Sequence, residues 1–238
     1  MDTMRPIYEK AVADAKAADT PEKRRGVGIA WGGFNVTEGG GDSAEVALEL
    51  MPGNKIRKYD TWHAMGQGAT TGSLVVTLEA LKEMHLTPED IQLIQNDTKT
   101  CPDTGMAGAS RSLYMDGNAT IIAANKLLAA MRKEDGTLRT YDEMKAEGIE
   151  TKYLGRYETN TTPGLCRLDP NTGIGDPTPA FTYCLNLAEV EVDTKTGKTT
   201  VLKFTCVDFV GRIGNIDAVN GQAYSGIMHG IGFALKED

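Results

Sequence analysis

The chain has 238 residues, of which 40% are hydrophobic and 24% are charged, and its formal net charge at pH 7 is −8. This balance is typical of a globular protein with one large domain or two small ones. The acidic charge, with no basic run, argues against a nucleic-acid-binding surface. No apolar run reaches the ~20 residues of a membrane span, and the charged, Ala-rich N-terminus lacks a signal-peptide core. We therefore expect a cytoplasmic protein.

The first quarter of the chain predicts one helix followed by three strands. Residues 1–18 carry apolar side chains at helical spacing, with Pro6 in the first turn. Residues 21–25 are proline-led and charged, so they predict a solvated linker. The strands are predicted from alternating apolar residues and from flanking turn residues, over 26–36, 43–51 and 55–61.

A glycine-rich turn, residues 62–72, joins the third strand to a helix predicted over 72–84. It holds Gly66 and Gly68, which let a ligand approach the backbone closely. Backbone N–H groups at a helix start also favour an anion. The turn therefore fits a phosphate or pterin site, and it equally fits a tight turn without a ligand.

A second helix start follows a short strand (91–94) and a polar loop (96–107). The longest helix is predicted from residue 108 to about 131, with two serines and an arginine in its first turn. This start is able to bind an anion. The alternative is that Ser110 only caps the helix.

The second half of the chain predicts a mixed polar region, a hairpin and a last helix. Residues 134–161 are polar, with a short helix at 141–147, and strands 180–192 and 198–210 flank a turn. The last helix, 222–235, begins at Gly221 and Gln222, a third glycine-led start. The chain stops directly after it, which predicts a fragment or a subunit completed by another chain.

The order of these elements favours an α+β fold with mixed sheets and helices in two layers over a parallel βαβ array. We divide the chain into an N-terminal helix and linker (1–25), a first α+β half (26–135) and an incomplete second half (136–238). The four cysteines and three histidines show no metal-site spacing. Cys184 and Cys206 flank the hairpin turn, where buried thiols fit a cytosolic chain better than a disulfide.

Taken as an ordered set, the three glycine-led starts resemble the molybdenum-binding subunit of the xanthine oxidase family. The set comprises Met65-Gly66-Gln67-Gly68, residues 105–112, and Gly221-Gln222, together with the hairpin sequence Glu189-Val190-Glu191-Val192-Asp193. The resemblance covers residues 26–238. It is nearest to the bacterial aldehyde oxidoreductases that use molybdopterin cytosine dinucleotide.

The resemblance implies which residues contact the cofactor. The pterin or its diphosphate is expected beside the Gly-Gln-Gly turn, and the dinucleotide beside His63 and Ala64. Residues 107–112 are expected to surround the pterin and pyrophosphate, and Gln222 to bond the pterin or a molybdenum ligand. The implied cofactor-binding residues are His63, Ala64, Gly66, Gln67, Gly68, Ala107, Gly108, Ala109, Ser110, Arg111, Ser112 and Gln222. In the family the pterin dithiolene binds the metal, so no protein metal ligand is expected.

The implied activity is hydroxylation of an aldehyde to a carboxylic acid at a molybdenum–pterin centre. Members of the family pass electrons to [2Fe-2S] clusters, which are expected here in absent domains or subunits. The resemblance is also compatible with a homo-oligomer. The family's catalytic glutamate follows the last helix in a Gly-x-Gly-Glu motif that this chain does not contain. We therefore expect a C-terminally truncated, partial domain with no catalytic residue, inactive alone. The alternatives are a cofactor-free scaffold or subunit-interaction module, and a generic nucleotide-binding protein.

Overall fold

The computed structural model describes residues 3–37, 41–161, 164 and 166–237. The helices are α1 Met4–Ala18, α2 Ala69–Ala80, α3 Ser112–Met131, α4 Tyr141–Ala146 and α5 Ile216–Leu235. The strands are β1 Lys23–Val36, β2 Ser43–Met51, β3 Lys55–Asp60, β4 Ile91–Gln95, β5 Lys152–Glu158, β6 Ala180–Asp193 and β7 Thr199–Phe209. Short 3-10 turns at Pro52–Asn54, Lys82–Met84, Pro88–Asp90 and Thr159–Thr161 complete the regular structure.

These elements form two compact units, each with its own sheet. The first unit joins Met1–Phe34 to Phe181–Asp238, and the second is Asn35–Ala180. The first holds a three-stranded sheet in the order β1-β6-β7, and the second a four-stranded sheet in the order β4-β3-β2-β5. The predicted α+β class, with mixed sheets and helices, is confirmed.

In the second unit, β2 and β3 are antiparallel and β3 and β4 are parallel, joined through α2. The core lies where α2 and α3 cover this sheet. Helix α3 buries a face rich in small residues, including Ala119 and Ala123, against β2 and β5. A Cβ atom added to Gly155 of β5 would meet the carbonyl oxygen of Ala119 and lie 2.5 Å from Ala123 N. The absence of a side chain at Gly155 therefore sets the close approach of α3 to the sheet.

In the first unit, α1 packs against one face of the sheet, where Met4 and Ala11 cluster with Leu187. The antiparallel pair β6 and β7 forms the predicted hairpin. Phe181 and Tyr183 lie in β6, within the strand predicted over 180–192, and their side chains are 46% and 43% exposed.

Two further local predictions are corrected by the structure. The predicted linker 21–25 is in part strand, because β1 begins at Lys23, whose side chain pairs with Glu191. Strand β5 was missed within a region predicted to be mixed and polar, because its pattern lacks a clear apolar alternation. It pairs with β2, with Val46 opposite Gly155. The three-part division at residues 25 and 135 stays a prediction.

Within the described part of the chain, no helix is long and apolar enough to cross a membrane.

Candidate functional site

The first segment of the candidate site is the loop between β3 and α2. Gly66 and Gly68 have φ angles of 102° and 86°, a region that glycine enters without steric cost. Gly68 is the N-cap of α2, and no side chain makes a capping hydrogen bond there. Helix α2 begins at Ala69, three residues earlier than predicted. The uncapped start leaves backbone N–H groups and partial positive charge available to an anion.

The side chains of this loop shape the loop itself. The Gln67 amide oxygen accepts a hydrogen bond from Met65 N–H, and its nitrogen lies 3.4 Å from the His63 carbonyl oxygen, to which it donates. His63 Nδ1 lies 3.3 Å from the Thr61 carbonyl oxygen. Gln67 thus closes the turn, and its backbone glycines stay open to a ligand.

The second segment is the loop that leads into α3. Helix α3 begins at Ser112, so the prediction that it begins at Gly108 is wrong. Ala109 and Ser110 have φ angles of 48° and 52° and therefore cannot form a helical turn. Ser110 is not the N-cap, and this helix also lacks a side-chain capping bond. The sequence did not reveal this backbone because neither residue type ordinarily adopts it.

Thr37 is another non-glycine residue with positive φ, and it lies against Ala109. Thr37, fully buried, has φ 54°, and its N–H donates to the Ala109 carbonyl oxygen at 2.9 Å. Each left-handed non-glycine residue costs roughly 1–2 kcal/mol. Such strained residues cluster at binding and active sites, where surrounding contacts enforce them. Their meeting here marks this loop as a functional candidate.

Arg111 explains how the strained loop is held. Its guanidinium group makes two hydrogen bonds to the Asp42 carboxylate, from Nε at 2.7 Å and Nη2 at 2.8 Å. It donates three more to the carbonyl oxygens of Ser43, Thr104 and Met106. All five N–H donors of arginine thus have acceptors. The side chain of Arg111 therefore fixes the loop, which supplies its backbone to the site.

The two loops are joined to each other. Thr61 N–H donates to the Thr104 hydroxyl at 2.9 Å, and Thr104 N–H donates to the Thr61 hydroxyl at 3.0 Å. Thr104 is also the residue whose carbonyl oxygen accepts from Arg111. The start of the first loop and the base of the second thus form one hydrogen-bonded unit.

A cavity of about 270 Å³ lies beside the second loop. Its wall combines the strained residues with two arginines and an aspartate, namely Thr37, Gly41, Asp42, Gly105, Met106, Ala109, Arg111 and Arg167. The Arg111 guanidinium is already bound by Asp42 and by backbone carbonyl groups, so it shapes the cavity wall and has no N–H group left for a ligand. Arg167, Thr37 and Asp42 were not predicted from the sequence, since none of them belongs to one of the three glycine-led motifs.

Gln222 lies in the first unit, inside a helix. Helix α5 begins at Ile216, and Asn215 caps it by accepting from Ala218 N–H at 3.0 Å, so Gly221 and Gln222 do not start a helix as predicted. The Asn215 capping signal was overlooked in favour of the glycine. Gln222 lines an apolar cavity of about 490 Å³ whose walls come from β1, β6, β7 and α5.

Cys184 and Cys206 line the same cavity as free thiols. They are not directly opposite each other, because Cys184 pairs with Asp208 and Cys206 pairs with Asn186. Burial raises the pKa of the Cys206 thiol to about 12, with a further contribution from its hydrogen bond to Asp208. Among the described residues, no three His, Cys, Asp or Glu side chains are grouped to hold a metal ion.

The comparison with known families decides what kind of domain carries these loops. A family model described as a molybdopterin cofactor-binding domain matches residues 4–238. The chain belongs to this molybdopterin cofactor-binding domain family. The resemblance carried by the three glycine-led motifs is therefore confirmed.

Relatives of this molybdopterin cofactor-binding domain include an aldehyde oxidoreductase from Megalodesulfovibrio gigas, 38% identical over 238 residues, which is 100% of this chain and 26% of the relative. Another is the gamma subunit of the 6-hydroxypseudooxynicotine dehydrogenase complex from Paenarthrobacter nicotinovorans, 25% identical over 258 residues, 97% of this chain and 31% of the relative. The chain thus spans about a quarter to a third of these relatives.

A solved structure agrees with the sequence comparison. The aldehyde oxidoreductase from Desulfovibrio desulfuricans ATCC 27774 matches with a TM-score of 0.93 and 41% identity, covering 100% of this chain and 26% of that one. The fold of this molybdopterin cofactor-binding domain is therefore that of a segment of an aldehyde oxidoreductase.

Proposed function

We propose that this domain contributes to the molybdenum site of an aldehyde oxidoreductase by holding molybdopterin cytosine dinucleotide. The observation that carries the proposal is that two helices, α2 and α3, begin without a side-chain cap and that the loops leading to them are joined by the Thr61–Thr104 hydrogen bonds. A dinucleotide cofactor has a pyrophosphate, and helix starts with open backbone N–H groups bind such anions. The cavity of about 270 Å³ beside the second loop supplies space, and Arg167 lies in its wall.

The two loops have different roles in this proposal. In the first, Gly66, Gln67 and Gly68 border the pterin or its diphosphate, and His63 and Ala64 lie beside the dinucleotide part. In the second, residues 107–112 surround the pterin and pyrophosphate, with the hydroxyl groups of Ser110 and Ser112 as donors. Gln222, whose amide is both a donor and an acceptor, bonds the pterin or a molybdenum ligand.

The chemistry comes from the cofactor, and the domain orients it. When bound, the molybdenum–pterin group supplies a two-electron oxidation that converts an aldehyde to a carboxylic acid. The described residues show no protein metal site, and we assign no catalytic residue to this chain. In the complete enzyme, further domains or subunits carry [2Fe-2S] clusters and the substrate is an aldehyde. Assembly into a homo-oligomer is compatible with this function. The subunit character of the Paenarthrobacter relative supports a multi-part enzyme.

The competing proposal is a domain of the same fold that binds no cofactor and serves as a scaffold between subunits. Exposed large apolar side chains in the first unit, among them Trp31 at 71% and Phe209 at 65%, favour a protein contact there. Such a contact is compatible with either proposal. Cofactor content separates the two.

The test is the molybdenum and pterin content of the chain purified from cells that make the cofactor. Metal analysis and fluorescence of the oxidised pterin are expected to give stoichiometric amounts. Gln67→Ala is expected to lose several-fold of this content while the far-UV circular dichroism stays unchanged. Gln92→Ala, on the surface of β4, is the matched control and is expected to retain it. A wild-type chain without molybdenum and pterin supports the scaffold, and full occupancy in Gln67→Ala contradicts the role of Gln67.

A further inference from the structure

A cluster of three charged side chains lies fully buried beneath the first loop. Lys58 Nζ is 2.7 Å from Asp116 Oδ2 and 3.4 Å from Asp60 Oδ2. All three side chains have zero exposure. Lys58 and Asp60 belong to β3, and Asp116 belongs to the second turn of α3. Buried charges are energetically costly. Two buried carboxylates beside a single ammonium group therefore need a structural explanation.

Asp60 connects this cluster to the first loop. Its Oδ1 accepts from Trp62 N–H at 3.2 Å and from the Gln95 amide at 2.9 Å, and its Oδ2 accepts from the Ser73 hydroxyl at 2.9 Å. Asp60 thus fixes the chain at the point where β3 ends and the loop begins. It also fastens that point to α2 and β4.

Asp116 is less well satisfied than Asp60. Its Oδ1 has no hydrogen-bond partner among the described residues, and its Oδ2 has only Lys58 and a long 3.4 Å contact from Thr120. Burial raises the pKa of the Asp116 carboxyl to about 6, with a smaller upward effect from Asp60 and an opposing one from Lys58. The Asp116 carboxyl therefore gains a proton at a higher pH than an ordinary aspartate does.

We propose that Lys58, Asp60 and Asp116 are positioning residues: the Lys58–Asp116 ion pair ties α3 to the end of β3, and protonation of Asp116 releases this tie. This ion pair connects the two loops through β3 and α3. Asp60 holds the first loop, and Arg111, five residues before Asp116, holds the second. The role of the cluster in positioning the two loops does not depend on the proposed function. The consequence for cofactor retention rests on the proposed function.

Among the described residues, the charged groups that act most strongly on the Asp116 carboxyl are Lys58 and Asp60. From β3 the facing charged groups are Lys58 and Asp60. The neighbouring elements contribute the neutral Ser73 from α2 and Gln95 from β4 to the cluster, and α3 itself contributes the neutral Thr120. The pKa of Asp116 is therefore governed by its burial, by these two charged neighbours and by the Thr120 contact.

Trp62 provides a readout that needs no cofactor. It is 5% exposed, and the centre of its ring lies 5.9 Å from Lys58 Nζ. The chain has two tryptophans, and the other, Trp31, is 71% exposed, so Trp31→Phe leaves Trp62 as the fluorescent reporter. A movement of the ammonium group alters the field at the indole ring. In this background we expect a single emission transition with its midpoint near pH 6.

Four variants in the Trp31→Phe background identify the group. Asp116→Asn is expected to show the low-pH wild-type emission at every pH, because its amide is always neutral. Thr120→Val keeps the charge and is expected to keep the transition. Asp60→Asn removes a neighbouring negative charge, so the midpoint is expected to move to lower pH. His63→Asn, which removes the imidazole group of the first loop, is expected to keep the transition.

The rate at which molybdenum is lost after dilution provides a second test. The wild type is expected to lose metal several-fold faster at pH 5 than at pH 7.5, and Asp116→Asn to lose it at the fast rate at both. A transition that persists in Asp116→Asn, or is missing in the Trp31→Phe background, overturns the inference. A wild-type chain that binds no molybdenum contradicts the proposed function alone, because the emission transition still decides the role of the cluster. If Asp116→Asn does not fold, the midpoint shift in Asp60→Asn decides it.

Discussion

The guanidinium group of Arg111 holds the carboxylate of Asp42 in a two-pronged contact between residues 69 positions apart in the chain. This contact joins the entrance of β2 to the strained loop before α3. Both side chains are largely removed from water, with exposures of 6% for Arg111 and 22% for Asp42. The pair therefore acts where solvent screening is weak.

Replacing Asp42 by Ala is expected to lower the free energy of unfolding by about 3 kcal/mol, because the buried Arg111 charge loses its partner. Urea denaturation measures the change. Asp14→Ala, which breaks the exposed Lys10–Asp14 pair of α1, is the matched control and is expected to cost about 0.5 kcal/mol or less. Equal effects in the two variants would falsify the assignment of a structural role to the buried pair.

The same contact gives stability a dependence on acid. Burial raises the pKa of the Asp42 carboxyl, but hydrogen bonds from Arg111 and Thr37 outweigh burial, so the pKa lies below its ordinary value. A lowered pKa means that the contribution is full above the unfolded-state pKa and is lost as the pH falls through the folded-state pKa. Asp42→Asn is expected to flatten the stability profile below about pH 4. If the free energy of unfolding of Asp42→Asn falls below pH 4 as steeply as that of the unchanged chain, the prediction is wrong.

A methyl group at Gly155 is expected to be far more damaging than one at Gly117. The added Cβ at Gly155 meets the backbone of Ala119 and Ala123, which cannot rotate away. Gly155→Ala is expected to destabilise by about 3 kcal/mol, at the upper end of overpacking costs. At Gly117, within α3, the nearest atom is Val76 Cγ1 at 3.8 Å. Gly117→Ala is expected to stabilise by about 0.5–1 kcal/mol through helix propensity.

The strained backbone of Ala109 yields a prediction of opposite sign. Ala109→Gly is expected to raise the melting temperature, because glycine accepts φ 48° without the cost of about 1 kcal/mol that alanine bears. Ala107→Gly is the control and is expected to lower it, since Ala107 is not among the residues with positive φ. Calorimetry measures both. A lower melting temperature for Ala109→Gly contradicts the assigned strain.

Thiol labelling tests the environment of Cys206. With burial and Asp208 raising its pKa to about 12, Cys206 is expected to react with iodoacetamide much more slowly at pH 8 than the exposed Cys166. Asp208→Asn removes the negative charge beside the thiol and is expected to speed labelling of Cys206 several-fold. Mass spectrometry of the labelled peptides gives both rates. Equal rates for Cys206 and Cys166 in the unchanged chain contradict the prediction.

The elements that follow strong local patterns could be predicted from the sequence. Strand Ser43–Met51 alternates apolar and polar side chains, and the turn at Gly66 and Gly68 lies between β3 and α2 as expected. The ordered glycine motifs also indicated the family that the comparison shows. Strand β5 lacks an alternating pattern, and its place beside β2 depends on backbone pairing with residues about 110 positions earlier. Local sequence does not carry that information.

The sequence by itself determined the α+β class, the position of the first loop and the family, because glycine turns and hydrophobic periodicity are local properties of the chain. Only the tertiary structure decided how the second loop is built. Its left-handed residues at Ala109 and Ser110 exist because Thr37 and the Arg111–Asp42 contact over-determine the backbone there. The buried charges of Lys58, Asp60 and Asp116 were likewise invisible, since burial is a property of packed elements and no single residue shows it in sequence.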